Sequence, residues 1–238
     1  MTEPATPYAL VVGGGPAGLM AADAVLTAGH RVVLTEAKPS VARKFLMAGK
    51  SGLNLSKMEH LQDFLSAFRC PDLHPMLEAF GPDDAKLWAE GLGQEMFIGS
   101  SGRLYPTVMK GSPLLRSWLA RLDGLGLDRR VRWRWTGWAD GGLCFDTPEG
   151  RQVLHPAATI LALGGASWPR LGSDGMWTEA LSRHGVRLAP FAPSNAALRV
   201  GWSSHMEVHF GQPLKSVALA AGPYNSRGEA ILSQEGLE

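Results

Sequence analysis

Apolar positions in this chain fall into short runs cut by glycines, and the first runs are the most regular. Tyr8 to Val12 form an apolar strand that leads straight into Gly13, Gly15 and Gly18. Pro16 to Ala28 reads as a helix rich in small residues (Ala17, Ala21, Ala22, Ala24), and Gly29 ends it. Arg31 to Thr35 supply a second, β-branched and aliphatic strand that stops at Glu36. Further on, Leu61, Phe64, Leu65 and Phe68 recur at helical spacing and share one face. Pro82-Asp83-Asp84 opens another helix, carrying Leu87 and Trp88, with carboxylates in its first turn. Ser112-Pro113 reads as an N-cap followed by a proline at the first helical position. That helix presents Leu115, Trp118, Leu119 and Leu122 and ends near Gly124.

The period then changes. From Arg130 to Trp135 the chain alternates strictly, with Arg130, Arg132 and Arg134 on one face and Val131, Trp133 and Trp135 on the other. This predicts one half-buried antiparallel strand. Turns at Gly141-Gly142 and Pro148-Glu149-Gly150 flank a strand from Leu143 to Thr147, so a three-stranded meander is expected. Ala158 to Gly165 is an apolar run ending in Gly164 and Gly165, the pattern of a buried parallel strand feeding a tight loop at a ligand-binding sheet edge. Ser173 to His184 reads as a helix closed by Gly185. From Pro190 the pattern shifts to short strands (Ala196 to Val200, Glu207 to Phe210, Val217 to Ala221) and a turn-like polar stretch, Asn225 to Glu229. The expected organisation is an α/β domain over 1–190 and the beginning of a β-rich domain over 191–238.

The spacing of the first glycines gives the chemistry. Gly13, Gly15 and Gly18 form G-x-G-x-x-G between a strand and a helix. Each glycine serves a different purpose, respectively a tight turn, close backbone approach to a pyrophosphate, and close packing of helix on strand. Pro16 and Ala17 open a helix whose free N–H groups and positive dipole end face the phosphates. Glu36 ends the second strand where a carboxylate accepts hydrogen bonds from ribose hydroxyls and repels a 2′-phosphate, which argues against NADP at this site. A lone G-x-G-x-x-G is weak in a chain with 29 glycines. The full frame of strand, glycines, small-residue helix, second strand and terminal acid is specific to a dinucleotide fold.

Composition alters this picture little. The chain has 238 residues, 45% of them hydrophobic, and a formal net charge of +1, so neither a polyanion nor a membrane surface is implied as partner. No run approaches the roughly 18 apolar residues of a membrane span, and the N-terminus lacks the features of a secretory signal. The two cysteines, Cys70 and Cys144, are far apart in sequence and form no C-x-x-C redox pair, so a reducing cytoplasm is expected. No metal site is expected: His205 and His209 alone have suggestive spacing, and they fall in a predicted strand. Arginines interleaved with Trp118, Trp133 and Trp135 resemble a nucleic-acid surface. Alternation, however, would bury the strand tryptophans, and Asp123, Asp128 and Asp140 dilute the charge, so a packing role is preferred to nucleic-acid binding.

The order of glycine fingerprint, meander and glycine-ended strand resembles the two-dinucleotide-fold FAD proteins. Four passages narrow the likeness: VVGGGPAGLMAA at 11–22, ARKFLMAGKSGLNLS at 42–56, GRLYPTVMKG at 102–111 and LALGGASWPRLGSDG at 161–175. Together they resemble the bacterial BaiN-like, YhiN-like or aminoacetone-oxidase-like FAD-dependent oxidoreductases. The resemblance implies an α/β fold: a Rossmann-type FAD-binding domain with a β-meander, followed by the start of an inserted β-rich domain that covers the flavin. The chain departs from the commoner branch, which has an Arg-Cys-Asn passage where this sequence reads Gly49-Lys50-Ser51-Gly52-Leu53-Asn54. Leu53 replaces the cysteine, which points to a G-K-x-G-L-N side branch. Family members are longer and return to the dinucleotide fold near their C-terminus. Gly228-Glu229 follows no apolar strand and is not that return, so the sequence reads as a C-terminally truncated member.

Against this background, Arg43 and Lys44 are candidates to pair with the FAD phosphates or ribose, the alternative being a solvated basic loop. Gly49, Lys50, Ser51 and Asn54 make a small polar loop suited to the isoalloxazine edge. There Lys50 would stabilise negative charge near flavin N1–C2, and Asn54 is the second candidate catalytic residue. Gly164 and Gly165 would touch the cofactor through backbone, whereas Ser167 and Trp168 are weaker candidates, since a tryptophan after a tight turn is usually packing. The expected activity is hydride transfer through flavin N5 to a small-molecule substrate or oxygen. NADH or NADPH would be a transient reductant with no fold of its own here; alternatively the organic substrate is the electron donor and oxygen the acceptor, and the sequence does not choose between them. The alternative is a catalytically inactive FAD-binding or interaction module.

Overall fold

A computed structural model of the chain describes residues 6–49, 52–192 and 197–238. Lys50 and Ser51 therefore lie outside the described residues. The chain divides into two units, Met1–Leu188 and Ala189–Glu238. The first unit runs β1 (Ala9–Val12), α1 (Pro16–Thr27), β2 (Val32–Glu36), α2 (Arg43–Ala48), β3 (Ser56–Lys57), α3 (Leu61–Ser66), α4 (His74–Ala79) and α5 (Pro82–Gly91). It continues with β4 (Met96–Ile98), β5 (Arg103–Pro106), α6 (Gly111–Gly124), β6 (Asp128–Val131), β7 (Arg134–Ala139), β8 (Gly142–Thr147), β9 (Gly150–Leu154), β10 (Ala158–Leu161) and α7 (Trp177–Arg183).

Its centre is a parallel sheet in the order β10-β1-β2-β6. The apolar run of β1 is buried on both faces, which is why it does not alternate with polar residues. Val11, with Val32 and Leu34, meets Leu19, Ala22 and Leu26 of α1 and Leu115, Trp118 and Leu122 of α6. Leu10, Val12 and Val33 on the other face meet Leu143 and Phe145 of the meander β7-β8-β9. Truncating any fully buried leucine of this sandwich to alanine costs about 2–5 kcal/mol.

One polar link crosses the helical layer. Asp23, 6% exposed, accepts from Trp118 Nε1 at 3.1 Å, from Arg121 Nε at 3.1 Å and from Thr27 Oγ1 at 3.3 Å. A carboxylate this buried persists because each neighbour is a donor, and it pins α6 to α1.

Several local expectations are corrected. Arg130 to Trp135 is not one strand. Arg132 takes φ +60°, and this left-handed residue turns the chain from β6, which pairs parallel with β2, into β7, which pairs antiparallel with β8. The arginines consequently do not form a common face: Arg129 pairs with Asp123, Arg130 with Asp128 and Arg134 with Asp174. Arg130 also lies 4.9 Å over the Trp133 ring. β10 is an edge strand and partly exposed rather than buried. The helix expected from Ser173 starts only at Trp177, and α3 ends at Ser66, short of Phe68. Ser112 caps nothing, since α6 already begins at Gly111 with Lys110 in the cap position.

The second unit holds β11 (Leu198–Arg199), β12 (Pro213–Ala221), β13 (Tyr224–Ile231) and β14 (Gly236–Leu237). Glu207 to Phe210 is not a strand, because Ser204–His209 coils into a 3-10 helix. Asn225 to Glu229 is not a turn but the body of β13, paired antiparallel with β12 across the Gly222-Pro223 connection. Backbone pairing in a hairpin accepts polar residues that composition alone assigns to a loop.

Candidate cofactor-binding site

The three fingerprint glycines, Gly13, Gly15 and Gly18, differ in what demands them. Gly13 has φ +111°, and a Cβ there would lie 2.2 Å from the Ala162 carbonyl oxygen beyond β10. A Cβ on Gly18 would lie 1.8 Å from the Gly13 carbonyl oxygen. Gly13 is therefore required by the chain that leaves β10, and Gly18 by the packing of α1 on the glycine loop. Gly15 is not: its φ of −79° suits any residue, and a Cβ would meet nothing within 4 Å. Its bare side faces open space at the N-terminus of the 12-residue α1, where Pro16 carries no amide hydrogen and the Ala17 and Gly18 N–H groups have no intrahelical acceptor.

Glu36 closes this loop from the end of β2. Its Oε2 accepts from Gly14 N at 2.9 Å and its Oε1 from Lys38 N at 2.7 Å. Each carboxylate oxygen keeps a second lone pair for a ribose hydroxyl. The same acid thus shapes the glycine turn and presents an acceptor beside it. Ala42, in the left-handed region at φ +55°, donates its N–H to the Gly14 carbonyl at 2.8 Å and delivers α2 to the same place.

Around these residues lies a cleft of about 530 Å³, inside the size range of small-molecule sites. Gly13, Gly15, Pro16, Ala17, Glu36, Arg43, Lys44 and Gly164 all line it. Gly18 sits beneath as the packing contact already described. Gly49 ends α2 against α6, where its Cβ would lie 2.8 Å from Gly111 N. Asn54 is exposed, and neither it nor Gly165 lines the cleft.

The sequence reading assigns none of the far wall to the site, although Ser173 and Asp174 lie in the family-like passage 161–175. Trp133 comes from the joint between β6 and β7, Trp135 and Thr136 from β7 of the meander, and Ser173 and Asp174 from the segment before α7. Arg134 joins the two parts through Asp174 at 3.1 Å. Burial raises the Asp174 pKa, but the Met176 N–H and the Arg134 guanidinium outweigh it, and the carboxyl is held below its ordinary value. Three buried donors on the cleft have no hydrogen-bond partner among the described residues: Arg43 Nε, Ser173 Oγ and Trp135 Nε1. A wall of unsatisfied donors with an open glycine cradle fits an acceptor-rich ligand, which a dinucleotide is. Among the described residues, no cluster of three metal-ligating side chains occurs and no helix is long and apolar enough to cross a membrane.

Comparison with known proteins agrees with this geometry. Residues 7–222 match the HI0933-like protein Rossmann domain. In fold the chain is similar to a 3-ketosteroid-Δ4-(5α)-dehydrogenase from Rhodococcus jostii RHA1, at 14% identity and a TM-score of 0.50, over 69% of this chain and 47% of that one. It is similar also to the open conformation of a flavocytochrome c3 fumarate reductase, at 20% identity and a TM-score of 0.50, over 68% of this chain and 34% of that one. The chain thus spans less than half the length of these structures, and at such identities they share the fold alone. The family match bears out FAD, the cofactor implied by the sequence, and the glycine cradle, ribose acid and unpaired donors fit it. The chain is a member of the HI0933-like family, built on a Rossmann-type FAD-binding domain.

Proposed function

We propose that the cleft of the first unit binds FAD for an oxidoreductase. The observation that carries the proposal is the bare Gly15, a glycine that no contact among the described residues requires, opposite donors that no acceptor among the described residues satisfies. The Ala17 and Gly18 amides at the N-terminus of α1 would hold the pyrophosphate, and Glu36 the adenosine ribose. Arg43 and Lys44, brought by α2, would add fixed positive charge beside the phosphates. Gly164, with φ +72° and Ser173 packed against it, leaves the backbone beyond β10 free to approach the flavin side of the ligand. Bound FAD supplies the redox chemistry, passing a hydride between a donor and a small substrate or oxygen.

For the electron donor we propose NADH or NADPH as a transient visitor, since a single dinucleotide fingerprint occurs in the sequence. The test is anaerobic mixing of the FAD-loaded chain with NADH and with NADPH while following flavin absorbance. Bleaching that reverses on admitting oxygen is the expected result. A flavin that stays oxidised with both would overturn the nicotinamide assignment.

A further inference from the structure

The tryptophan wall of the cleft is not explained by the glycine fingerprint. In the sheet order β10-β1-β2-β6, the pyrophosphate loop follows β1 and the ribose acid ends β2. Continuing in that direction leads to the end of β6 and its extension into β7. Trp133 N donates to the Glu36 carbonyl at 2.9 Å, so this wall begins directly beside the ribose acid. A dinucleotide running from Gly15 past Glu36 therefore meets Trp133 to Thr136 with its adenine, while its flavin lies on the side of β10.

Trp135 lines the cleft there. The register of β7 on β8 shifts between Trp135 and Gly137, a bulge of the kind that re-aims a side chain. The indole is held edge-on by Trp138, with ring centroids 4.8 Å apart at 88°. Trp138 is itself packed on His184, which follows α7, at 4.4 Å. Despite this support, the buried Trp135 Nε1–H has no acceptor among the described residues. An indole N–H is a donor only, and a buried donor left unmatched is a standing cost that an acceptor relieves.

Adenine offers unprotonated ring nitrogens and nothing on that side of the ligand offers a better match. We propose that Trp135 is the residue that reads the base, donating Nε1–H to a ring nitrogen of the FAD adenine. This rests on the cleft's being the FAD site.

The proposal is tested by calorimetric titration of the 238-residue chain with ADP and with 1-deaza-, 3-deaza- and 7-deaza-ADP, for the unmodified protein and for Trp135→Phe. One neutral hydrogen bond corresponds to about a 2- to 12-fold change in affinity. Trp135→Phe is expected to weaken ADP by that factor. One deaza analogue should lose the same on the unmodified protein, and the two changes together should lose no more than either alone. Equal affinity of the unmodified chain for ADP and all three analogues would overturn the proposal, whatever the fold of the variant. So would a loss in Trp135→Phe that adds to every analogue's own. Gly15→Val separates the two readings. If it weakens ADP binding by about tenfold or more while the deaza series is flat, only the Trp135 role fails; if it leaves ADP binding intact, the cleft is not the dinucleotide site.

Discussion

Replacing Gly15 by alanine and by valine separates what the fold needs from what the ligand needs. The backbone there is already at φ −79°, and an added Cβ meets nothing within 4 Å, so the folded state accommodates a side chain. Two small effects oppose each other. Loss of a good N-cap residue costs at most about 1 kcal/mol, and the stiffer unfolded chain returns roughly 0.4–1 kcal/mol. The net change in stability should stay under about 1 kcal/mol. Gly18→Ala makes the contrast: its Cβ would fall 1.8 Å from the Gly13 carbonyl oxygen, a contact that must move backbone. Overpacking of this kind costs about 1–3 kcal/mol or more. For FAD the order reverses in cause. A side chain on Gly15 fills the space in front of the Ala17 and Gly18 amides and breaks at least one charge-assisted hydrogen bond to phosphate. That is about 1.5–3 kcal/mol, or roughly 10- to 150-fold in Kd. Thermal melting without ligand and a fluorescence titration with FAD measure both quantities. A Gly15→Val chain that melts like the unmodified one and binds FAD as tightly would refute the placement of the pyrophosphate.

Further outcomes follow from the same contacts. Glu36→Ala should weaken FAD by roughly 10- to 150-fold, since it removes a charged acceptor for the ribose and strands the Gly14 and Lys38 amides; an unchanged Kd would remove the ribose from Glu36. Asp23→Ala should lower stability by about 1–3 kcal/mol, because the Trp118 N–H is left buried without an acceptor, whereas half-exposed Arg121 can turn to water; denaturant unfolding reads it. Asp174 has a folded pKa below its unfolded one, so its contribution is present above about pH 4 and fades as pH falls through the depressed value. The pair is partly exposed, so Asp174→Asn should cost no more than about 1 kcal/mol at neutral pH. The gap in melting temperature from the unmodified chain should shrink below about pH 4; a gap that widens there would contradict the sign.

The cofactor half of the site was legible because its signals are local. Strand, glycines, helix and acid occupy 8–36 without interruption, and Gly13 and Gly18 are each tied to a contact within that frame or beyond the adjacent β10, while Gly15 is left bare. The opposite wall was not legible, for two physical reasons. Strict alternation from Arg130 to Trp135 is what a single strand shows, and nothing in those residue types marks Arg132 as the left-handed joint between two sheets. The segment Leu171 to Asp174 reaches the cleft through a tertiary pair, Arg134 with Asp174, whose partners are distant in sequence. Conversely, the small polar run around Gly49 suggests cofactor approach, but the smallness of Gly49 serves the crossing of α2 on α6. In the second unit, polar composition hides β13 because a hairpin strand is fixed by its partner's backbone, not by its own side chains.

The central claim is that this cleft holds FAD by its adenosine half. The most direct measurement is the visible absorption of the chain after incubation with FAD and gel filtration, repeated with excess ADP and with excess FMN. The prediction is flavin retained at close to one per chain, displaced by ADP and left in place by FMN. Flavin that is not retained, or that ADP fails to displace, would contradict it.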